Sequence, residues 1–98
     1  MKELELYKLL ATEDNKYGVE LADEIRWTNN KEELLIWVDY SYLDDFMKAI
    51  KELLGNGIFD DESFNGNFQE DSVCFNLKDI VWTYAMDLEK IFPKEIYS

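Results

Sequence analysis

Val19-Glu20-Leu21-Ala22-Asp23-Glu24-Ile25-Arg26-Trp27-Thr28-Asn29-Asn30-Lys31-Glu32-Glu33-Leu34-Leu35-Ile36-Trp37-Val38-Asp39-Tyr40 is the stretch on which the fold turns. Before its polar centre, apolar residues alternate with Glu20, Ala22, Glu24 and Arg26, the period-two signature of a strand with one buried face, and after it a second apolar series recurs at every other position. Val19, Leu21, Ile25 and Trp27 form one series, and Leu34, Ile36, Val38 and Tyr40 form the other. Asparagine tolerates positive φ, so Asn29-Asn30 is expected to be a two-residue hairpin turn. That turn sets Ile25 opposite Leu34, Leu21 opposite Val38 and Val19 opposite Tyr40, bringing both apolar series to one face. Asp23, opposite Ile36 on that face, is the one misfit.

Outward from the hairpin, the period changes. Leu6, Leu9 and Leu10 share one side of a helix expected over Glu3 to Thr12, while Leu4 and Leu6 also alternate as in a strand. Ser41, with Asp44 three residues on, reads as a variant capping box. Leu43, Phe46, Met47, Ile50, Leu53 and Leu54 follow at helical spacing, and Gly55-Asn56-Gly57 supplies the stop. A more polar strand region runs from Ile58 to Phe75, turning at either Asn65-Gly66 or Glu70-Asp71. Asn76, with Asp79 three residues on, reads as another cap, before an amphipathic helix through Ile80, Val81, Tyr84, Leu88, Ile91 and Phe92 that Pro93 ends. Val38-Asp39-Tyr40-Ser41 and Val73-Cys74-Phe75-Asn76 match in pattern, hinting at a repeated unit of two strands and a capped helix. The expectation is one α+β domain over residues 1–98: about four antiparallel strands in two hairpins, helices packed against them, order α-ββα-ββα.

Twenty-two acidic residues against ten basic ones give a net charge of −12. Such a charge disfavours direct contact with nucleic acid and favours encounters with basic surfaces. With 47% hydrophobic and 15% aromatic residues, the acids are interleaved with core-forming side chains, unlike a disordered acidic tail. Cys74 is the lone cysteine, so no internal disulfide is expected. The start, Met1-Lys2-Glu3-Leu4-Glu5, is already acidic, and no long apolar run is present. These features read as a soluble, intracellular protein with no membrane partner. Nine lysines to one arginine, with frequent asparagine, suit an AT-rich bacterial or phage genome.

The chemistry on offer is sparse. With no histidine, neither Cys74 nor a serine has the usual base, and a tetrahedral zinc site lacks ligands. Cys74, between Val73 and Phe75, reads as a small packed side chain. No glycine-rich phosphate loop is present. Asp61, Ser63, Asn65 and Gly66 fall at the first, third, fifth and sixth places of a calcium-loop pattern, with Phe68 at the apolar eighth. Ser72 stands at the twelfth, where a bidentate glutamate belongs. A two-metal nuclease would need a basic groove, which the charge contradicts. The expectation is a non-enzyme without a cofactor or metal.

Two surfaces remain as candidates for binding a protein. In the two-residue-turn register, the other hairpin face sets Glu20 opposite Asp39, Glu24 opposite Leu35, Ala22 opposite Trp37 and Arg26 opposite Glu33. Trp37 and Leu35 are then an apolar anchor ringed by carboxylates, unless the N-terminal helix covers them and the sheet is buried on both sides. The second candidate is the acidic run containing Asp60, Asp61, Glu62, Glu70 and Asp71.

In size, charge, lack of catalytic residues and α+β character, the whole chain resembles small phage-encoded inhibitors of bacterial DNA-handling defences, such as acidic anti-CRISPR proteins. No motif is shared. The resemblance implies a DNA mimic that blocks the nucleic-acid-binding or PAM-reading surface of a CRISPR effector or other nuclease, and it transfers no residue roles. Two alternatives use the same composition: an immunity protein neutralising a basic nuclease toxin, and a non-catalytic regulatory domain, with a homodimer possible through a strand edge.

Overall fold

Helix α1 (Lys2–Ala11) opens the chain in a computed structural model that describes residues 2–60, 64–78, 80, 81 and 86–97. Its leucine spacing does what the sequence implies: Leu6, Leu9 and Leu10 are buried in the core. The next eleven or so residues are not strand. Asn15 organises them, its side-chain amide donating to the carbonyls of Lys8 (3.0 Å), Leu9 (3.4 Å), Thr12 (3.0 Å) and Val19 (2.9 Å). Its Oδ1 accepts from the backbone N–H groups of Tyr17 at 2.8 Å and Gly18 at 3.1 Å. One side chain thus takes up the free carbonyls at the end of α1 and bends the chain back. Leu21 and Ala22 then dock on that helix end, donating to the carbonyls of Leu9 and Leu10.

Strands β1 (Glu24–Trp27) and β2 (Glu33–Asp39) form the expected hairpin, but in a different register. The observed pairs are Glu24 with Trp37, Ile25 with Ile36, Arg26 with Leu35 and Trp27 with Leu34. The turn holds four residues, Asn29 to Glu32, instead of two. Thr28 and Glu33 close it through a backbone bond of 2.9 Å, and Lys31 adopts φ 60°. Asn30 Oδ1 accepts from the Thr28 hydroxyl at 2.6 Å and from the Glu32 N–H at 3.1 Å, so the longer loop satisfies groups that a tight turn would leave wet. The shift is two residues, and an even shift leaves every side chain on its expected face. It also removes the misfit at Asp23, whose N–H donates to the Trp37 carbonyl at 2.8 Å while its side chain is exposed. The pairs Leu21–Val38, Val19–Tyr40 and Glu20–Asp39 do not form.

Helix α2 (Tyr40–Leu54) follows β2 without a linker. Its cap is Asp39, not Ser41: Asp39 Oδ1 accepts from the Ser41 N–H at 2.8 Å and hydroxyl at 2.6 Å. Gly55, at φ 108°, ends it. After a 3₁₀ turn (Ile58–Asp60) come β3 (Phe64–Phe68) and β4 (Ser72–Lys78), joined by a turn with Glu70-Asp71 at its tip. Of the two turn positions the sequence offered, this one holds, closed by Gln69 N–H donating to Ser72 at 2.8 Å. Gly66 sits mid-strand because Phe75 leans over it; a Cβ there would stand 2.9 Å from that ring.

The four strands form one antiparallel sheet in the order β1-β2-β4-β3, so β2 and β3 run parallel with β4 between them. Leu34, Ile36, Val38, Val73, Phe75, Leu77 and Phe64 line its inner face, against Phe46, Ile50 and Leu54 of α2 and the leucines of α1. Each such fully buried side chain contributes about 1.5–3 kcal/mol relative to exposure. The α+β class and the four-stranded sheet are as expected; the closing helix is not. Residues 80–81 and 86–87 pair as the short strands β5 (Ile80–Val81) and β6 (Met86–Asp87), followed by a 3₁₀ turn (Leu88–Lys90). Asn76 lies within β4 and caps nothing, which removes the repeat; Asp79 and Tyr84 lie outside the described residues. Ile80 and Val81 are both β-branched, and at these two positions that preference for extended backbone outweighs the helical spacing.

The C-terminal segment is tied down at both of its ends. Trp27 donates its indole N–H to the Phe92 carbonyl at 2.8 Å and its backbone N–H to Tyr97 at 2.7 Å, which covers the outer edge of β1. Near β6, the buried Glu3 carboxylate accepts the Asp87 N–H at 3.1 Å, and that bond holds its carboxyl below the usual range, against the opposing effect of burial. A folded-state value below the unfolded one stabilises fully above the unfolded value and is lost as pH falls through the folded value. Glu3→Gln is therefore expected to cost about 1 kcal/mol at neutral pH. In acid the urea-unfolding curves of the two proteins should converge. A gap that persists unchanged into acid would place Glu3's contribution in packing instead.

Candidate protein-docking surface

The two surfaces expected from the sequence are rearranged by the fold. On the hairpin's outer face, Glu24 lies across from Trp37, Arg26 across from Leu35, and Glu33 across from Lys78 of β4. Arg26 stacks over the Trp37 ring, 5.0 Å from its centroid. Glu20 falls outside the ladder, and Asp39 is engaged as the helix cap. α1 does not cover this face, since its leucines pack on the opposite one. Leu35 and Trp37 are half-buried, and two cations interrupt the carboxylates around them. Beside Trp37 in the ladder, Cys74 is buried, and burial pushes its thiol up, away from the reactive thiolate.

Within the acidic run, a strand separates Asp60 from the Glu70-Asp71 turn. Asp60 precedes β3, whereas Glu70 and Asp71 form the turn beyond it, with five strand residues between at about 3.3 Å each. Asp61 and Glu62 lie outside the described residues. The calcium-loop pattern is likewise lost, because its centre is strand β3. Among the described residues, no group of three or more His, Cys, Asp or Glu side chains is arranged to hold a metal.

What the fold brings together is a different set. Ser72 pairs with Asp39, so the Glu70-Asp71 turn lies at the end of the sheet where α2 begins. Tyr40, the first residue of α2, stacks on Phe68, the last of β3, with ring centroids 6.5 Å apart and planes 17° from parallel. The Tyr40 hydroxyl donates to the Gln69 carbonyl. Phe68 is 74% exposed and Tyr40 41% exposed, in a chain whose other phenylalanines are buried or half-buried. Asp44, exposed, is one helical turn on from Tyr40 and shares its side of α2. Ser41 holds the Asp39 carboxyl below its usual range, so that group stays ionised in mild acid. The result is an aromatic pair at a sheet end to which the fold also brings Asp39, Glu70 and Asp71, with Asp44 one helical turn on.

No protein-family model, curated protein or solved structure matches the chain.

Sequence alternation places Tyr40 on the strand face and Phe68 in the calcium-loop pattern, whereas the fold stacks the two together. The signal was available. Taking Glu70-Asp71 as the turn places Phe68 opposite Val73 at the sheet end nearest Tyr40. Elsewhere, a cavity of about 390 Å³ between the end of α1 and α2 has Leu9, Tyr17, Ala49 and Leu53 among its lining residues. Its cations are already matched, Lys8 to Asp14 at 3.5 Å and Lys16 to Glu52 at 2.7 Å. Among the described residues, no helix is long and apolar enough to cross a membrane.

Proposed function

We propose that this chain is a non-catalytic inhibitor that binds a basic nucleic-acid-binding protein, a CRISPR effector or another nuclease, and blocks the surface that holds its DNA or RNA. The observation that carries this is the exposed Tyr40–Phe68 pair at the sheet end that also holds Asp39 and the Glu70-Asp71 turn. Interfaces concentrate affinity in a few aromatic anchors and use charged rims to steer and orient the encounter. A chain of net charge −12 approaches a phosphate-binding surface along the field that the surface presents to nucleic acid. The carboxylates stand in for phosphates, and the aromatic pair adds the desolvated contact that a purely electrostatic mimic lacks.

The test is capture from a bacterial lysate at low salt, with the captured protein then challenged by a duplex oligonucleotide. The partner is expected to be basic, to be displaced by the duplex, and to elute with added salt. Glu70→Lys with Asp71→Lys should weaken binding on the order of 100-fold, about 1.4 kcal/mol per reversed charge. Indifference to the duplex, or full-strength binding by the double variant, would overturn the reading. A CRISPR effector among the captured proteins and a toxin nuclease would separate the anti-CRISPR and immunity forms of the same mechanism.

A further inference from the structure

We infer that the Tyr40–Phe68 end of the sheet selects arginine over lysine on its partner, with a guanidinium stacked on the Phe68 ring and its N–H groups donated to Glu70 or Asp71. The inference deepens the docking reading above and rests on it. Carboxylates alone attract either cation; the aromatic pair is what distinguishes the two. Arginine is planar, weakly hydrated and able to stack while forking to a carboxylate, whereas the lysine ammonium is a compact, strongly hydrated charge.

Three features of the chain carry the inference. Phe68 is 74% exposed and takes no part in the core, so folding does not account for its size. Tyr40 braces it: the tyrosine is fixed at the start of α2 and by its hydroxyl on Gln69, and the near-parallel stack leaves the far side of the Phe68 ring open. Three of the chain's own cations lie over other rings. Arg26 lies 5.0 Å over Trp37, Lys94 5.0 Å over Trp27 and Lys16 5.4 Å over Tyr17. Among the described residues no cation sits over Phe68, and Glu70 and Asp71 follow it in the chain by two and three residues.

The experiment uses the full chain and two synthetic peptides of equal length, each with six basic residues spaced by glycine and serine, all arginine in one and all lysine in the other. Affinities are measured by calorimetry at low salt, and amide shifts are followed by NMR. The arginine peptide is expected to bind two- to fivefold more tightly, with shifts centred on Tyr40, Phe68 and Glu70. Phe68→Leu, an exposed substitution that keeps apolar bulk, should bring the arginine peptide down to the lysine value and leave the lysine peptide unchanged. Equal affinities in the parent chain, a preference that survives Phe68→Leu, or shifts centred elsewhere would each overturn the inference. Equal affinities that both fall in the Glu70→Lys, Asp71→Lys variant would leave the docking reading standing. Peptide binding unaffected by that variant would remove both.

Discussion

Trp27→Ala is expected to lower the unfolding free energy by about 3–5 kcal/mol, a loss that few single substitutions in a domain this size exceed. Trp27 is 2% exposed, packs from the edge strand β1 into the core, and donates its indole N–H to Phe92. Removing it opens a large void and leaves the Phe92 carbonyl without its partner in a buried setting. The melting temperature should fall by roughly 15–30 °C, followed by far-ultraviolet circular dichroism. Trp27→Phe separates the two contributions. It keeps most of the ring volume and loses only the N–H, so about 1–2 kcal/mol is expected. If Phe costs as much as Ala, the hydrogen bond is the greater part; if Ala melts like the parent, the C-terminal segment is held by something other than Trp27.

The second large effect is expected at Asn15, a polar residue in a loop, where the usual expectation is a small one. Its side chain serves four carbonyls and two N–H groups at the junction of α1 and the following turn. Asn15→Ala should cost about 2–3 kcal/mol, because several partly buried backbone groups lose their partner together. Asn15→Asp keeps the acceptor for Tyr17 and Gly18 but turns a carboxylate oxygen toward the carbonyls, so at neutral pH it should be no better than alanine. Urea unfolding at neutral pH measures both. A cost under about 0.5 kcal/mol for alanine, the range of ordinary surface changes, would show that the loop keeps its shape without that side chain.

Asn15 also illustrates where sequence reading ran out. The apolar face of α2 and the inward faces of the hairpin are legible because each repeats a period over many residues; at α1 the helical spacing of Leu6, Leu9 and Leu10 outweighs the strand-like alternation of Leu4 and Leu6. The hairpin register was off by two, yet the faces survived, since strand facing depends on parity and not on the turn. The stretch from Thr12 to Asp23 was misread in part as strand because Val19 and Leu21 continue the alternation of Ile25 and Trp27, and nothing local reveals that Asn15 anchors it elsewhere. The third helix failed for the opposite reason: a short run fitted the helical period by chance while Ile80 and Val81, both β-branched, favoured strand. At the candidate site, chain neighbours were taken for spatial neighbours. Asp60 and Glu70 are separated by a strand, whereas Asp39 and Asp71, distant in sequence, meet through the pairing of Asp39 with Ser72.

The strand order has a consequence for synthesis. β4 emerges last of the four sheet strands yet lies between β2 and β3. Until Ser72–Lys78 has left the ribosome, the nascent chain offers the first hairpin alone, with the inner edge of β2 bare and too little sheet to be stable. Bare edges on unfinished chains invite pairing between neighbours on the same message. Residues 1–71 already hold 18 acidic residues against seven basic ones, and that excess opposes such pairing before the central strand arrives.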